Sequence, residues 1–387
     1  MNRRASVAIH RCPDYRSQSV EAALADILRD LGGMDRFIAP GDTVLLKPNL
    51  LSPRPPEQAV TTHPSLVAAV ARVCLQAGAG MVWLGDSCAG DHDDRELWQR
   101  TGMTAALAGL PVEFKSFNRA VATRPLGASQ APVPVWLDQV DKVISLPKLK
   151  THALTLLTCA VKNMYGMIAG SAKSAYHATH PSPRAMSRFL AEVFAEFKPD
   201  LTIVDAVIAM EGDGPANGRP KPVGLLLASP DAVAVDAVCA GFLGLQPQQI
   251  PLLAETARRG CGIIDHARID ILGVRPEELT GIRLRPSVGR LLMRIPEPVF
   301  KIATRLIKCQ PIIDHALCIR CGICQKICSR QAIKPDRHGN LRIDPARCIV
   351  CMCCAESCPR HAVATRMPFA RLRSLLRRQS RRPPEKS

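Results

Sequence analysis

Through the first 280 residues, short β-branched and aliphatic runs alternate with longer stretches whose apolar positions recur at helical spacing. The runs predict strands at 43–47, 81–85, 112–116, 142–146, 201–205, 223–228 and 269–272, and the periodic stretches predict helices at 19–31, 64–76, 95–108, 185–197, 232–241 and 250–259. Strands that alternate with helices argue for α/β layering: a mostly parallel sheet with helices on both faces. From 281 to 311 the text becomes proline-punctuated and Arg-rich, with Leu291, Leu292, Ile295, Val299, Ile302, Leu306 and Ile307 on one helical stripe, the pattern of a basic amphipathic linker. Short runs at 332–334 and 341–343 then flank a turn at 338–340, which predicts a small α+β domain over 312–366, followed by a basic tail at 367–387.

Composition sharpens this division. Apolar residues make up 47 % of the chain and aromatics only 4 %, so any core is aliphatic. Residues 1–280 hold 28 Lys and Arg against 28 Asp and Glu, so the formal charge of +17 belongs wholly to the C-terminal quarter and its flanking arms. The longest apolar stretch, 223–245, is interrupted by Pro230, Asp231 and Asp236 and does not read as a membrane span. Arg3 and Arg4 are followed by no apolar segment of the kind an export signal needs, and the N-terminus reads as the start of the first strand, which predicts a cytoplasmic protein.

Nine of the 16 cysteines fall between Cys318 and Cys358. Cys318, Cys321, Cys324 and Cys328 have the spacing C-x2-C-x2-C-x3-C, and Cys348, Cys351, Cys354 and Cys358 repeat it, with Pro359 directly after. In two-cluster ferredoxins the fourth cysteine of each run serves the other cluster. The spacing therefore predicts two [4Fe-4S] clusters, one on Cys318, Cys321, Cys324 and Cys358, the other on Cys348, Cys351, Cys354 and Cys328. A tight loop can offer three thiolates to three irons of a cube, and the fourth iron needs a ligand from another direction. The module resembles bacterial two-cluster ferredoxins, with two departures: Ser329 stands where proline is usual, and Cys353 adds a thiol between two ligands. A pair of zinc sites is the competing use of eight thiolates, although zinc ribbons use paired CxxC motifs.

In open parallel sheets ligands bind beyond the carboxyl ends of the strands. Polar residues gather at those ends here: Lys47-Pro48-Asn49, Gly85-Asp86-Ser87, Lys148-Leu149-Lys150-Thr151-His152, and Asp205 followed by Glu211-Gly212-Asp213. Lys162 and Asn163 lie in an otherwise apolar stretch, where a charge is costly unless it faces a ligand or carboxylate. No phosphate-binding P-loop and no dinucleotide fingerprint occurs. His177 and His180 have helical metal-ligand spacing, but Pro181 follows directly.

The strings VLLKPNLL, SLPKLKTH, AVKNMYG, IVDAVIAMEGDGP and ASPDAVAVDA resemble the bacterial and archaeal family known as domain of unknown function 362, which often carries a ferredoxin module. The resemblance implies the α/β architecture and an iron–sulfur association without naming a substrate. It marks Lys47, Asn49, Lys148, Lys150, His152, Lys162, Asn163, Asp205, Asp213 and Asp236 as motif positions, and Lys173 and His177 more weakly.

Two functions follow. In the first, clusters exchange electrons with an anionic substrate or cofactor at the strand ends: Lys47, Lys148, Lys150 and Lys162 supply positive charge, Asn49 and Asn163 line the site, Asp205 or Asp213 orients a donor or a metal, and His152 is the acid–base candidate. In the second, the chain is a non-catalytic electron-transfer or assembly subunit docked on a partner enzyme. A closed pocket of roughly 300–1,000 Å³ lined by these lysines favours the first, and a flat surface the second. The expected protein partner is an acidic redox protein of ferredoxin or flavodoxin type. Phe369, Leu372, Leu375 and Leu376 among arginines suit an interfacial helix at an anionic membrane as well as they suit a solvated tail, and nucleic acid is disfavoured by the lack of interleaved aromatics.

Overall fold

The computed structural model describes residues 4–90, 92–127, 129–170, 172–287 and 310–366, so most of the amphipathic linker and all of the basic tail lie outside the described residues. Twelve strands build the first part: β1 (Ala5–Arg11), β2 (Thr43–Pro48), β3 (Met81–Leu84), β4 (Val112–Phe114), β5 (Val121–Leu126), β6 (Ser129–Pro134), β7 (Lys142–Leu146), β8 (Lys148–His152), β9 (Leu156–Thr158), β10 (Leu201–Glu211), β11 (Arg219–Ser229) and β12 (Ile269–Gly273). The sheet runs β12-β1-β11-β10-β7-β2-β3-β4, parallel throughout except for β11, which is antiparallel to both neighbours. The fold is thus α/β with a mostly parallel, mixed sheet.

Alternation along the strands feeds two cores, as the pleat requires. Val44, Leu46, Val82 and Leu84 point to one face, beneath the helices Ser17–Asp30 and Pro64–Gln76. Leu45 and Trp83 point to the other, beneath Pro183–Glu196, Ala232–Phe242 and Pro251–Arg258. Burial on both faces is why the strands read as continuous apolar runs.

Three elements differ from the sequence expectation. The helix expected at 95–108 is two, Asp94–Arg100 and Met103–Ala106, because Gly102 between them has φ 77°, outside any helix. The β5–β6 hairpin stands apart from the main sheet as its own two-stranded ribbon, and proline at 125, 132 and 134 hides its strand character. Lys148–His152, expected as a polar strand end, is a fully buried strand. Pro147 interrupts the chain after β7, and β10, paired with β7 at Leu201 and Thr202, is paired with β8 from Asp205 to Met210. The β8–β9 hairpin therefore extends the carboxyl end of the sheet into a raised wall.

Residues 310–366 form a small second unit on the same side. Its strands are β13 (Gln310–Ile313), β14 (Ile333–Pro335), β15 (Leu341–Ile343) and β16 (Val363–Arg366); β13 pairs with β16 and β14 with β15. The module repeats itself. Arg320, Gly322 and Gln331 in the first half, and Val350, Met352 and His361 in the second, have positive φ at matching places.

Candidate functional site

Two lysines at the strand ends are committed to internal carboxylates. Lys47 Nζ lies 2.6 Å from Asp86 Oδ1, both side chains almost wholly buried, while Asp86 Oδ2 accepts from Leu50 N at 2.7 Å. Burial lowers the Lys47 pKa and Asp86 opposes that shift. The pair fits only because residue 166 is glycine: a Cβ there would sit 1.9 Å from Asp86 Oδ1 and 2.5 Å from Lys47 Nζ. Lys148 Nζ donates to Asp205 Oδ2 at 2.9 Å and to Tyr15 Oη at 2.7 Å, and Asp205 also accepts from Tyr15 Oη and from His63 N. Asp205 is thus a buried hub that ties β10 to the loops after β1 and β2. Lys47 and Lys148 are thus each paired with an internal carboxylate.

The remaining cations are different. Lys150 Nζ has only neutral acceptors, Asn49 Oδ1 and Val60 O, each at 2.8 Å, and burial together with Lys162 pushes its pKa well down. Lys173 Nζ rests on the carbonyls of Ser87 and Cys88, and its pKa is lowered to about 8, chiefly by burial. Lys162 has no hydrogen-bond or ion-pair partner among the described residues; burial lowers its pKa, and Glu356 is the main opposing influence. Asn163 is a spacer: its amide donates to Lys47 O at 3.1 Å and Ser145 Oγ at 2.9 Å.

Lys162 and Lys173 face a partly open cleft between the sheet end and the cysteine module, with about 570 Å³ of atom-free space, mouth included. Asn49, Ser87 and His177 line it from the sheet side, and Ile327, Cys353 and Glu356 from the module. His152 sits behind this wall. Its Nδ1 accepts from Leu154 N and Thr155 N, which leaves the proton on Nε2, 3.7 Å from Glu356 Oε1 and without a hydrogen-bond partner. Burial and nearby Lys162 push its pKa well below the ordinary histidine value, so at neutral pH the ring is neutral.

Direct contacts hold the module over the cleft. Arg54, 1 % exposed, donates to Ala216 O at 2.7 Å and to Cys358 O at 2.6 Å; Asn217 Nδ2 donates to Val363 O at 2.9 Å. Gly90, at φ 96°, lets the chain pass close to Ser357, whose Oγ a Cβ would meet at 3.1 Å.

The eight repeat cysteines ring two cavities. Cys318, Cys321, Cys324 and Cys358 line one of about 340 Å³ of atom-free space, and Cys328, Cys348, Cys351 and Cys354, with Cys353, line a second of about 380 Å³, open mouths included in both. Burial and then Cys358, Cys321 and Cys318 push the Cys324 thiol up to about 11. Backbone amides point at several sulfurs: Ala332 N to Cys328 Sγ at 3.3 Å, Val350 N to Cys348 Sγ at 3.4 Å and Ala362 N to Cys358 Sγ at 3.3 Å. Among the described residues, no three His, Cys, Asp or Glu side chains close in to the spacing of a single-ion site.

The family model described as domain of unknown function (DUF362) matches residues 44–241. The chain belongs to the DUF362 family. A thylakoid-associated protein of Synechocystis sp. is 38 % identical over 257 residues, spanning 66 % of this chain and 79 % of that protein. Among solved structures, a Thermotoga maritima protein aligns with TM-score 0.36 and 16 % identity over 59 % of each chain. The lactate racemase apoprotein of Thermoanaerobacterium thermosaccharolyticum aligns with TM-score 0.41 and 11 % identity, over 62 % of this chain and 57 % of its own. The chain spans under three fifths of either solved structure.

The DUF362 segment holds Lys47, Asn49, Lys148, Lys150, His152, Lys162, Asn163, Asp205, Asp213 and Asp236, while the cysteine module lies beyond it. Asp236 caps the helix Ala160–Asn163 by accepting from Ala160 N at 2.7 Å and Val161 N at 3.0 Å, and so aims Lys162. Asp213 is exposed in the β10–β11 turn and does not line the cleft. His177 meets Tyr165 edge-on at 6.3 Å and His180 stacks on Phe189 at 4.8 Å, so the two imidazoles serve different packing sites. Sequence pattern alone does not mark Asp86, Arg54 or Glu356 as site residues. Asp86 stands in the strand-end string GDS, whereas Glu356 lies between cysteines of the repeat, where it reads as a spacer.

Proposed function

We propose that this DUF362-family chain is an iron–sulfur redox protein in which two [4Fe-4S] clusters exchange electrons with an anionic substrate or cofactor bound in the cleft beneath the module. One observation carries the proposal: the second cysteine cavity and the lysine cleft share a wall, because Cys353 lines both. The fit of the residues to clusters rests on three features: each cavity takes three cysteines from one run and the fourth from the other, amides donate to the sulfurs, and the sulfurs surround a space instead of meeting at a point. Bound there, the clusters would supply one-electron carriers.

In this reading Lys162 and Lys173 hold the anion, Asn49 and Ser87 orient it, and Lys150 adds positive potential from behind Asn49. His152 keeps its Nε2 proton toward Glu356. Cys321 is exposed, with Ile319 59 % and Leu317 46 % exposed nearby, which suits the first cavity to contact with a redox partner. Anaerobic purification tests the proposal: about eight irons and eight sulfides per chain, with a dithionite-reducible chromophore, are expected. Tightly held zinc with no such chromophore would sink it.

Thermal-shift titration with small carboxylates and inorganic phosphate tests the cleft. Lys162→Met should weaken binding by roughly tenfold or more, one charge-assisted hydrogen bond contributing about 1.5–3 kcal/mol. Because Lys173 is protonated only below about pH 8, affinity should fall as pH rises through that value. Unchanged affinity in both tests would favour the second function, an electron-transfer subunit without a substrate of its own.

The thylakoid-associated relative supports peripheral membrane contact through the basic arms, which lie largely outside the described residues. Among the described residues no helix is long and apolar enough to cross a membrane. Deleting 369–387 should reduce binding to anionic vesicles measured by co-sedimentation, and undiminished binding would dismiss the tail as the anchor.

A further inference from the structure

The second cysteine cavity carries one thiol more than a four-iron cube requires. Cys353 lines it beside Cys328, Cys348, Cys351 and Cys354, whereas the matching place in the first half of the repeat is occupied by Ile323. Cys353 is 6 % exposed, yet it is not part of the apolar cluster of the module; it faces the cavity on one side and the cleft, with Lys162, on the other. It lines the same cavity as Cys351, two residues away along the chain. The thiols buried in the sheet domain, such as Cys74 and Cys239, are packed into its two apolar cores and differ from it in this respect.

Resting on the iron–sulfur reading, we propose that Cys353 is an alternative ligand for the iron otherwise held by Cys351. In the exchange the iron–sulfur bond to Cys351 breaks as the bond to Cys353 forms. The Cys353 thiol gives up its proton as it binds, the departing Cys351 thiolate takes one up, and no electron is gained or lost. The consequence is positional. With Cys351 as ligand the cube is held from within the module; with Cys353 as ligand, a coordinating sulfur stands on the cleft wall beside Lys162 and Glu356. Occupancy of the cleft and ligand choice at the second cluster are thereby linked.

The test compares anaerobically prepared wild type, Cys351→Ala, Cys351→Ala/Cys353→Ala and, as a control at the cavity without a spare thiol, Cys321→Ala. Iron content and electron paramagnetic resonance of the oxidised proteins are the readouts. Cys351→Ala should keep about eight irons and show no three-iron signal, while the double variant and Cys321→Ala should show that signal or fall to about four irons. A second measurement needs no variant: brief anaerobic iodoacetamide treatment of wild type, followed by peptide mass spectrometry, should label both Cys351 and Cys353. Cys351→Ala behaving like the double variant, or label confined to Cys353, would overturn the proposal. A wild-type chain with no cluster would remove the iron–sulfur reading itself, whereas eight irons in wild type combined with either overturning result removes only the ligand exchange.

Discussion

Asp86→Ala is expected to destabilise the protein by about 3–5 kcal/mol, the cost of stranding one partner of a buried ion pair. The Lys47 side chain is 0 % and the Asp86 side chain 4 % exposed, at 2.6 Å, so water cannot replace the lost carboxylate. Lys47 would keep only Pro48 O at 3.2 Å and Asn163 Oδ1 at 3.4 Å, and the Leu50 amide would lose its acceptor. Urea unfolding followed by circular dichroism measures the effect, and a loss below about 1 kcal/mol would contradict the argument. Gly166→Ala should act in the same direction by crowding both partners. The half-exposed pair Lys142–Asp200, 35 % exposed on each side at 3.5 Å, serves as the control: breaking it with Lys142→Met should cost no more than about 1 kcal/mol.

The second large effect concerns the crossing of ligands in the module. Cys328 belongs by sequence to the first run but lines the cavity of Cys348, Cys351 and Cys354; Cys358 belongs to the second run and lines the cavity of Cys318, Cys321 and Cys324. Under the iron–sulfur proposal, Cys328→Ala should damage the same cluster as Cys348→Ala, and Cys358→Ala the same one as Cys318→Ala, each removing up to about half of the iron. Paramagnetic resonance spectra of the four reduced variants should therefore fall into two matching pairs that cross the runs. Spectra that pair Cys328→Ala with Cys318→Ala would refute the crossing. The Cys318→Ala and Cys358→Ala variants, which keep the cluster beside the cleft, should be the ones whose spectra respond to anions there, since the cavity of Cys328 and Cys348 shares Cys353 with the cleft.

Strand β7 occupies the residues expected from the sequence, and the helix Pro64–Gln76 does too, because each carries local punctuation: Pro147 after the one, Pro64 at the start and Gly78 past the end of the other. Strand β8 escaped because KLKTH is polar by composition, and only long-range partners make its burial tolerable: Asp205 for Lys148, Asn49 and Val60 for Lys150, and two backbone amides for His152. Hydrophobic patterning reports exposure averaged over a local window and carries no record of a carboxylate dozens of residues away.

The cysteine spacing, the neutral sheet domain with its basic C-terminal quarter, and the clustering of Lys, Asn, Asp and His at the strand ends are properties of the chain read in order, because each depends on residues a few positions apart. Which lysines are paired was decided in three dimensions: Lys47 and Lys148 meet Asp86 and Asp205, while Lys162 has no ion-pair partner among the described residues. So was the placing of the cysteine module over the cleft by Arg54 and Asn217. Charge pairing and docking depend on distances between segments far apart along the chain, and only the folded backbone sets those distances.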